Sequence, residues 1–370
     1  MYMSSESDIY MNQEQTGELL NWYHQNRRIL PWREDPTPYH VWLSEIMLQQ
    51  TRVEAGKAYY LRFLETLPDI ASLAAAPEDV YLKLWEGLGY YSRVRNLHKA
   101  AVMIMEKYGG EMPDTPKELQ SLPGIGPYSA AAISSIAFQK PVVSVDGNLL
   151  RVFSRMTEYG DDIKAMAARK TAMAYYETGI RTADRPGDFN QALMDLGAGI
   201  CLPNGEPLCG QCPWSAHCLS HRDGKELSYP VVPEKKERKK EKLTVFLIRC
   251  GEKVAVRKRK EEGLLAGLYE FPEISGHRNP QEASDALQKM LEPFGGRPVI
   301  SPEELHKLPA AKHIFSHVEW QMTGYEIRLP EEAEKAGRPS GQIFFADLQE
   351  LKETYSIPSA FETYKKYLGL

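Results

Sequence analysis

The chain has no long apolar run. Nothing in its 370 residues approaches the roughly eighteen consecutive apolar residues that cross a bilayer, so no membrane span is expected. The first twenty residues hold no basic residue, only Glu6, Asp8, Glu14 and Glu18. A secretory leader needs a positive start and an apolar stretch, so a cytoplasmic protein is expected. A basic excess is also missing. Lys and Arg number 45 against 50 Asp and Glu, a net charge of −5. That argues against a whole-surface nucleic-acid binder and leaves room for a local basic patch. Cysteine is scarce, five in all, and an odd total in a chain without a leader argues against a disulfide framework.

What is present is globular in character. Hydrophobic residues at 42% and charged residues at 26% match an ordinary folded protein, and the length points to two domains or three. Four cysteines, Cys201, Cys209, Cys212 and Cys218, fall in one stretch as C-x7-C-x2-C-x5-C. Thiolates gathered that closely suit a soft metal. Zinc and a [4Fe–4S] cluster are the two choices; a single C-x2-C pair flanked by isolated cysteines leans toward the cluster, which tolerates uneven spacing. Cys250 ends an apolar, strand-like run and reads as a small buried residue.

Up to about residue 220 the pattern is helical. Thr37-Pro38 caps a helix expected to reach about Arg52. Thr115-Pro-Lys-Glu118 reads as a capping box on a helix that ends at Leu122, and a second helix starts near Pro127. After Tyr229-Pro-Val-Val-Pro233 comes Glu234–Lys242, six basic and three acidic residues, read as a linker. Strand-like runs follow at Leu243–Ile248, Lys253–Arg257, Glu319–Leu329 and Gln342–Phe345, with helices at Gln281–Leu291 and Ser359–Tyr367. The second domain is therefore α+β.

Leu122-Pro-Gly-Ile-Gly-Pro-Tyr-Ser129 joins two helices through a glycine turn. Gly124 and Gly126 leave the backbone bare where the second helix presents its first N–H groups, an arrangement suited to a DNA phosphate. Eighteen residues beyond Tyr128 comes Asp146, in Ser144-Val-Asp-Gly-Asn-Leu-Leu-Arg-Val152. Hairpin, V-D-G-N element and four-cysteine stretch occur in the order found in the helix–hairpin–helix base-excision DNA glycosylases, and the chain resembles that superfamily. The resemblance implies a helical domain with Asp146 at a cleft, and a [4Fe–4S] cluster on the four cysteines. One gap departs from the family: seven residues, Leu202 to Leu208, separate the first two cysteines where six are usual.

Members that cut the strand use a lysine amine early in the helix after the hairpin. Tyr128 occupies that position and cannot form a Schiff base, and Lys140 lies in a loop beside Pro141. A monofunctional enzyme using water is therefore expected. Trp42-Leu-Ser-Glu-Ile-Met-Leu-Gln-Gln-Thr-Arg-Val53, Leu30-Pro-Trp-Arg33 and Glu86-Gly-Leu-Gly-Tyr-Tyr-Ser-Arg-Val-Arg-Asn96 look like those of the MutY-type adenine DNA glycosylases. That resemblance implies Glu45 as the acid and Asp146 as the carboxylate facing the sugar cation, with Tyr128 and Asn148 beside it. It implies Trp32, Arg33, Leu48 and Gln191 around the flipped base, and Gln50, Thr51, Leu88 and Tyr90 at the opposite base. Gly124 and Gly126 would meet the DNA backbone. Arg93, Arg95 and Lys99 then read as phosphate contacts.

Glu262-Gly-Leu-Leu-Ala-Gly-Leu-Tyr-Glu-Phe-Pro272 resembles Nudix-type hydrolases, but the stretch from Gln281 to Gly296 lacks their R-E-x-x-E-E metal triad, so hydrolysis is not expected. In MutY-type proteins this domain reads 8-oxoguanine. The matching element is His313-Ile-Phe-Ser-His317, with Ser316 as the reading group. Arg249 and the basic residues of Lys253–Lys260 read as a backbone-contacting face. The expected whole is a multidomain protein. An all-α helix–hairpin–helix glycosylase domain over 8–225 holds the hairpin at about 115–138 and the [4Fe–4S] loop at 201–218. A linker over 226–242 leads to a Nudix-like domain over 243–370. Its expected partner is double-stranded DNA with adenine opposite 8-oxoguanine or guanine, bound by a monomer, nucleoid-associated in a bacterium. A thymine or uracil glycosylase of the same superfamily and a non-catalytic damage-binding protein are the alternatives.

Overall fold

The structure, a computed structural model, describes residues 10–233, 237–292, 299–330 and 343–370. Residues 8 and 9 of the expected helical domain, Glu234, Lys235 and Lys236 of the linker, Gly296 and Gln342 lie outside these. The chain divides into two compact units, Met1–Ala75 with Arg93–Lys235, and Ala76–Ser92 with Lys236–Leu370.

The first unit is built of helices. Asn12 caps Gln13–Asn26 with a reciprocal capping box, and Thr37 caps Pro38–Met47, its hydroxyl accepting from the His40 N–H. That second helix stops five residues short of the expected Arg52. Gln50 takes a φ of 58°, which ends helical pairing, and the next helix, Val53–Thr66, starts afresh. Leu119 ends the helix that Thr115 and Pro116 open, earlier than the expected Leu122. Glu118 does not complete the capping box: its carboxylate takes the Thr115 hydroxyl at 2.6 Å and leaves the Thr115 backbone N–H. Pro127–Ile136 follows the hairpin as expected, and Asp146 caps Gly147–Thr157, its carboxylate accepting from Leu149 N at 2.8 Å. Helices Met166–Thr182 and Pro186–Gly199 close the unit around Leu149, Phe153, Tyr176, Phe189 and Leu193, all fully buried. Each such side chain contributes roughly 2–3 kcal/mol through burial.

The second unit is a mixed seven-stranded sheet between helices. Its strands are β1 (Lys239–Cys250), β2 (Lys253–Lys258), β3 (Tyr269–Glu270), β4 (Glu273–Ser275), β5 (His306–Ile314), β6 (Val318–Leu329) and β7 (Ile343–Asp347). They run β3-β2-β1-β6-β5, with β4 on β1 and β7 on β2. β1 and β6 are parallel over their whole length, and the other pairs are antiparallel. Lys239–Lys242, expected within the linker, form the first residues of β1, because their backbone pairs with Val318–Gln321; ladder hydrogen bonds do not depend on side-chain charge. β5 has no strand-like run in the sequence, since its residues are mostly exposed.

β1 shows why a central strand reads as a continuous apolar run. Val245 and Leu247 face a core with Phe361 and Tyr364 on one side of the sheet. Phe246 and Ile248 face another with Leu287 and Leu291 of helix Pro280–Leu291. No helix among the described residues is long and apolar enough to cross a membrane.

Candidate active site

Glu45 rides on helix Pro38–Met47 and opens on a cavity of about 50 Å³. Trp32, Arg33, Leu48 and Gln191 line the same cavity, with Arg28, Ile136 and Met194. Residues separated by more than 150 positions are thus brought to one hollow. Burial pushes the Glu45 carboxyl up to about 7; Tyr128, hydrogen-bonded to it, and Arg33 oppose the rise, while Asp146 adds to it. Burial also raises Asp146, but less, because the N–H groups of Leu149 and Asn148, then Arg151 and the Asn148 side chain, favour its charged form. The Asn148 amide donates to Asp146 Oδ2 at 3.0 Å. Two carboxyls therefore share one neighbourhood with separated proton affinities, the usual mark of an acid paired with an ionised partner.

Sequence reasoning missed the group that governs Arg33. Asp195, 5% exposed, takes both Arg33 nitrogens, at 2.7 and 2.9 Å, and the Arg28 guanidinium at 2.5 Å. Although burial pushes the Asp195 carboxyl up, Arg33 and Arg28 hold it below the usual range. No signal in the sequence singled it out, because helix Pro186–Gly199 also carries Asp188, Asn190 and Gln191. With its fork committed to Asp195, Arg33 forms no ion pair with Glu45 among the described residues.

Arg93 does not serve the phosphate role expected of it. It is 8% exposed, and its guanidinium donates to the carbonyls of Ile46, Met47 and Gln49 at 3.1, 2.8 and 2.5 Å and to the Thr51 hydroxyl at 3.3 Å. It caps the helix that carries Glu45 and fixes the turn that carries Gln50 and Thr51. Lys99 stays exposed. In the hairpin, Gly124 has a φ of 78°, and a Cβ there would come within 2.7 Å of the Asn96 side chain, so only glycine fits. Gly126 starts Pro127–Ile136 with no side-chain cap.

The four expected metal-binding cysteines face one cavity with Arg155, Trp214, His221 and Glu226. All are free of disulfides. Burial pushes the Cys209 and Cys212 thiols up to about 11 and 12, so they need a bound cation to ionise. Arg155, 4% exposed, donates to Cys201 Sγ at 3.2 Å, and such a donor suits an anionic thiolate. Zinc at about 2.3 Å from each sulfur would draw the sulfurs to within roughly 4 Å of one another. No three of the four come within 4.8 Å; the group meeting that limit among the described residues is Cys209, His221 and Glu226, where the last two pair with each other at 2.6 Å. The donor set fits a polynuclear centre better than one zinc ion. The same loop is linked to Asp146 through Asn148: Arg151 donates to the Cys201 carbonyl at 2.8 Å and to Asn148 Oδ1 at 3.0 Å.

In the second unit, Leu88 is 9% and Tyr90 44% exposed. Ser316 sits exposed in the tight β5–β6 turn, closed by a 2.8 Å bond from Phe315 N to Val318 O. His313 meets the Phe315 ring edge to face, and burial lowers its pKa. Arg249, Arg257 and Arg259, read as a backbone-contacting face, are instead paired with Glu326 and Glu270.

A helical hairpin, two unlike carboxyls in one neighbourhood and a four-thiol loop point to the base-excision glycosylase class. Residues 43–177 match the HhH-GPD superfamily base excision DNA repair protein, and residues 244–367 match the NUDIX domain. The structure of a thermostable thymine-DNA glycosylase is similar to the helical part, with a TM-score of 0.52 and 28% identity, over 57% of this chain and 98% of that one. The adenine DNA glycosylase of Homo sapiens is 32% identical, covering 95% of this chain and 74% of its own. That of Schizosaccharomyces pombe is 33% identical over 81% and 78%, and that of Buchnera aphidicola subsp. Acyrthosiphon pisum 34% over 84% and 86%. The chain belongs to the adenine DNA glycosylase family.

Proposed function

We propose that this protein hydrolyses the N-glycosidic bond of adenine in double-stranded DNA, with adenine opposite 8-oxoguanine or guanine as its substrate. The observation that carries the reading is the raised Glu45 carboxyl, held to about 7 at the cavity wall. A neutral acid at that pH can protonate N7, so that adenine leaves neutral. Asp146, ionised first, stabilises the cationic sugar that remains, as paired carboxylates do in glycosidases. Asn148 orients it, and Tyr128 holds Glu45. Water then supplies the hydroxyl at C1′, and its proton leaves through the carboxylate pair. Trp32, Arg33, Leu48 and Gln191 hold the flipped base. Gln50 and Thr51, on a turn fixed by Arg93, and Leu88, Tyr90 and Ser316 meet the opposite base. The Gly124–Gly126 backbone and the uncapped start of Pro127–Ile136 take a phosphate.

We assign a [4Fe–4S] cluster to Cys201, Cys209, Cys212 and Cys218. It would fix the loop as a template, four thiolates closing one rigid unit. Arg155 offsets its charge at Cys201, and no catalytic step needs it. Replacing Cys212 by Ser should lower the iron and sulfide content of the purified protein, together with its visible absorption. One zinc and no iron in the unaltered protein would refute the assignment.

The deciding experiment is a single-turnover assay on duplexes with adenine opposite 8-oxoguanine, guanine or thymine, and with thymine opposite guanine. Release of adenine from the first two supports the reading. Release of thymine alone, or binding with no release, would replace it with one of the alternatives.

A further inference from the structure

Residues Ala76–Ser92 come early in the chain yet cluster with Lys236–Leu370. Helix Glu78–Leu84 and the turn after it, which carries Leu88 and Tyr90, are fastened there by ions. The Glu86 carboxylate lies 2.6 Å from the Lys83 ammonium and 2.8 Å from that of Lys365, and the three side chains are only 15, 21 and 19% exposed. Lys83 also donates to the carbonyls of Leu351 and Tyr355, at 3.3 and 3.4 Å. Leu351 lies in the last turn of helix Leu348–Glu353, where carbonyls lack partners within the helix. Lys365 reaches the Ile357 carbonyl at 3.4 Å.

Exposed ion pairs contribute little, and Lys258–Glu78, 3.5 Å apart with both side chains over a third exposed, is of that kind. Glu86 differs: one shielded carboxylate is shared by two cations, each of which also donates to a backbone carbonyl. Removing a partner leaves shielded charge behind.

The fastened turn is itself under constraint. Gly87, Gly89 and Tyr90 all have positive φ, and Tyr90, at 48°, is not a glycine. A residue stays in that region only when its surroundings impose it. The Trp85 ring N–H donates to the Gly89 carbonyl at 3.1 Å, and the Tyr90 hydroxyl lies 3.2 Å from Ser316 Oγ.

We propose that Glu86, gripped by Lys83 and Lys365, is a positioning residue for opposite-base selection. It sets the spacing between Tyr90 and Ser316 without touching DNA. The inference rests on the reading that these two groups meet the opposite base.

The test uses full-length Glu86→Gln, Lys365→Met, their double variant, Lys365→Arg and Ser316→Ala. The ratio of excision opposite 8-oxoguanine to excision opposite guanine is measured at subsaturating enzyme, with the saturating rate and melting temperature alongside. Each of the first two variants should lower the ratio about fivefold, the weight of roughly one hydrogen bond. The double variant should go no further, Lys365→Arg should keep the ratio, and the saturating rate should not change. Additive losses, or equal losses on both substrates that track a lower melting temperature, would overturn the proposal. So would an unchanged ratio in Glu86→Gln while Ser316→Ala lowers it, which leaves the opposite-base reading standing. If Ser316→Ala leaves the ratio unchanged, that reading falls and this inference with it.

Discussion

Glu45 in the helical unit and Glu270 in the sheet unit are glutamates withdrawn from bulk water, and the molecule treats them differently. Glu270, 2% exposed, is held by Arg257 at 2.7 Å and by Arg259, which lies over the Trp320 ring. Its charge is matched on the spot, and a matched buried pair is an architectural element. Glu45 has Arg33 nearby, but Asp195 grips that guanidinium through both nitrogens. What remains beside Glu45 is a phenol and a second carboxyl. The difference teaches where chemistry is placed: a carboxyl whose neighbouring cation is engaged elsewhere keeps its proton and can give it away.

Asp146→Asn should produce the largest change. The charge facing the sugar cation disappears while the shape is kept, so single-turnover excision should fall on the order of a thousandfold or more, with duplex binding retained. Excision at most of the original rate would remove Asp146 from the mechanism. Glu45→Gln comes next, at about a hundredfold to ten-thousandfold. It should also raise the melting temperature above pH 7. Between about 4.5 and 7 the native Glu45 holds a proton that the unfolded chain has released, so stability falls as pH rises through that window, and an amide abolishes the fall. An unchanged melting temperature would mean that the site is well solvated.

Asp195→Asn sharpens the comparison by freeing Arg33. The released guanidinium should then pull the Glu45 pKa down, so that excision is lost at a lower pH than in the unaltered protein. A loss of excision with the same pH midpoint would reduce Asp195 to a structural role. Ser316→Ala should have the smallest effect, less than about tenfold on the 8-oxoguanine preference, the scale of one hydrogen bond. Excision opposite guanine at saturating enzyme should be unchanged, and an equal fall on both duplexes would count against a reading role.

What could be read from the sequence followed from local chemistry. Thr37-Pro38, the two-glycine hairpin and the apolar run Leu243–Ile248 are each decided within a few residues, and the structure has them where the pattern points. The end of the helix at Met47 is not local: Arg93, more than forty residues on, draws the Ile46, Met47 and Gln49 carbonyls, and Gln50 turns left-handed. Asp195 was illegible for the same reason, because its meaning depends on Arg28 and Arg33, far away in the chain. Arg93, Arg249 and Arg259 read as DNA-backbone contacts for want of their partners. The exposed strand β5 escaped because it buries too little to leave a pattern. Among the site residues, the cavity gathers Trp32, Arg33, Glu45, Leu48 and Gln191, an arrangement that spacing alone could not supply.

The central claim is that the cavity keeps Glu45 protonated near neutrality. It is tested most directly by the pH dependence of the single-turnover excision rate, with enzyme in excess on a duplex holding adenine opposite 8-oxoguanine, at constant salt from about pH 5 to 9. The account predicts a rate that falls about tenfold per pH unit above a midpoint near 7, and a residual rate without that limb in Glu45→Gln. A flat profile across that range, or the same limb in the Gln variant, would contradict it.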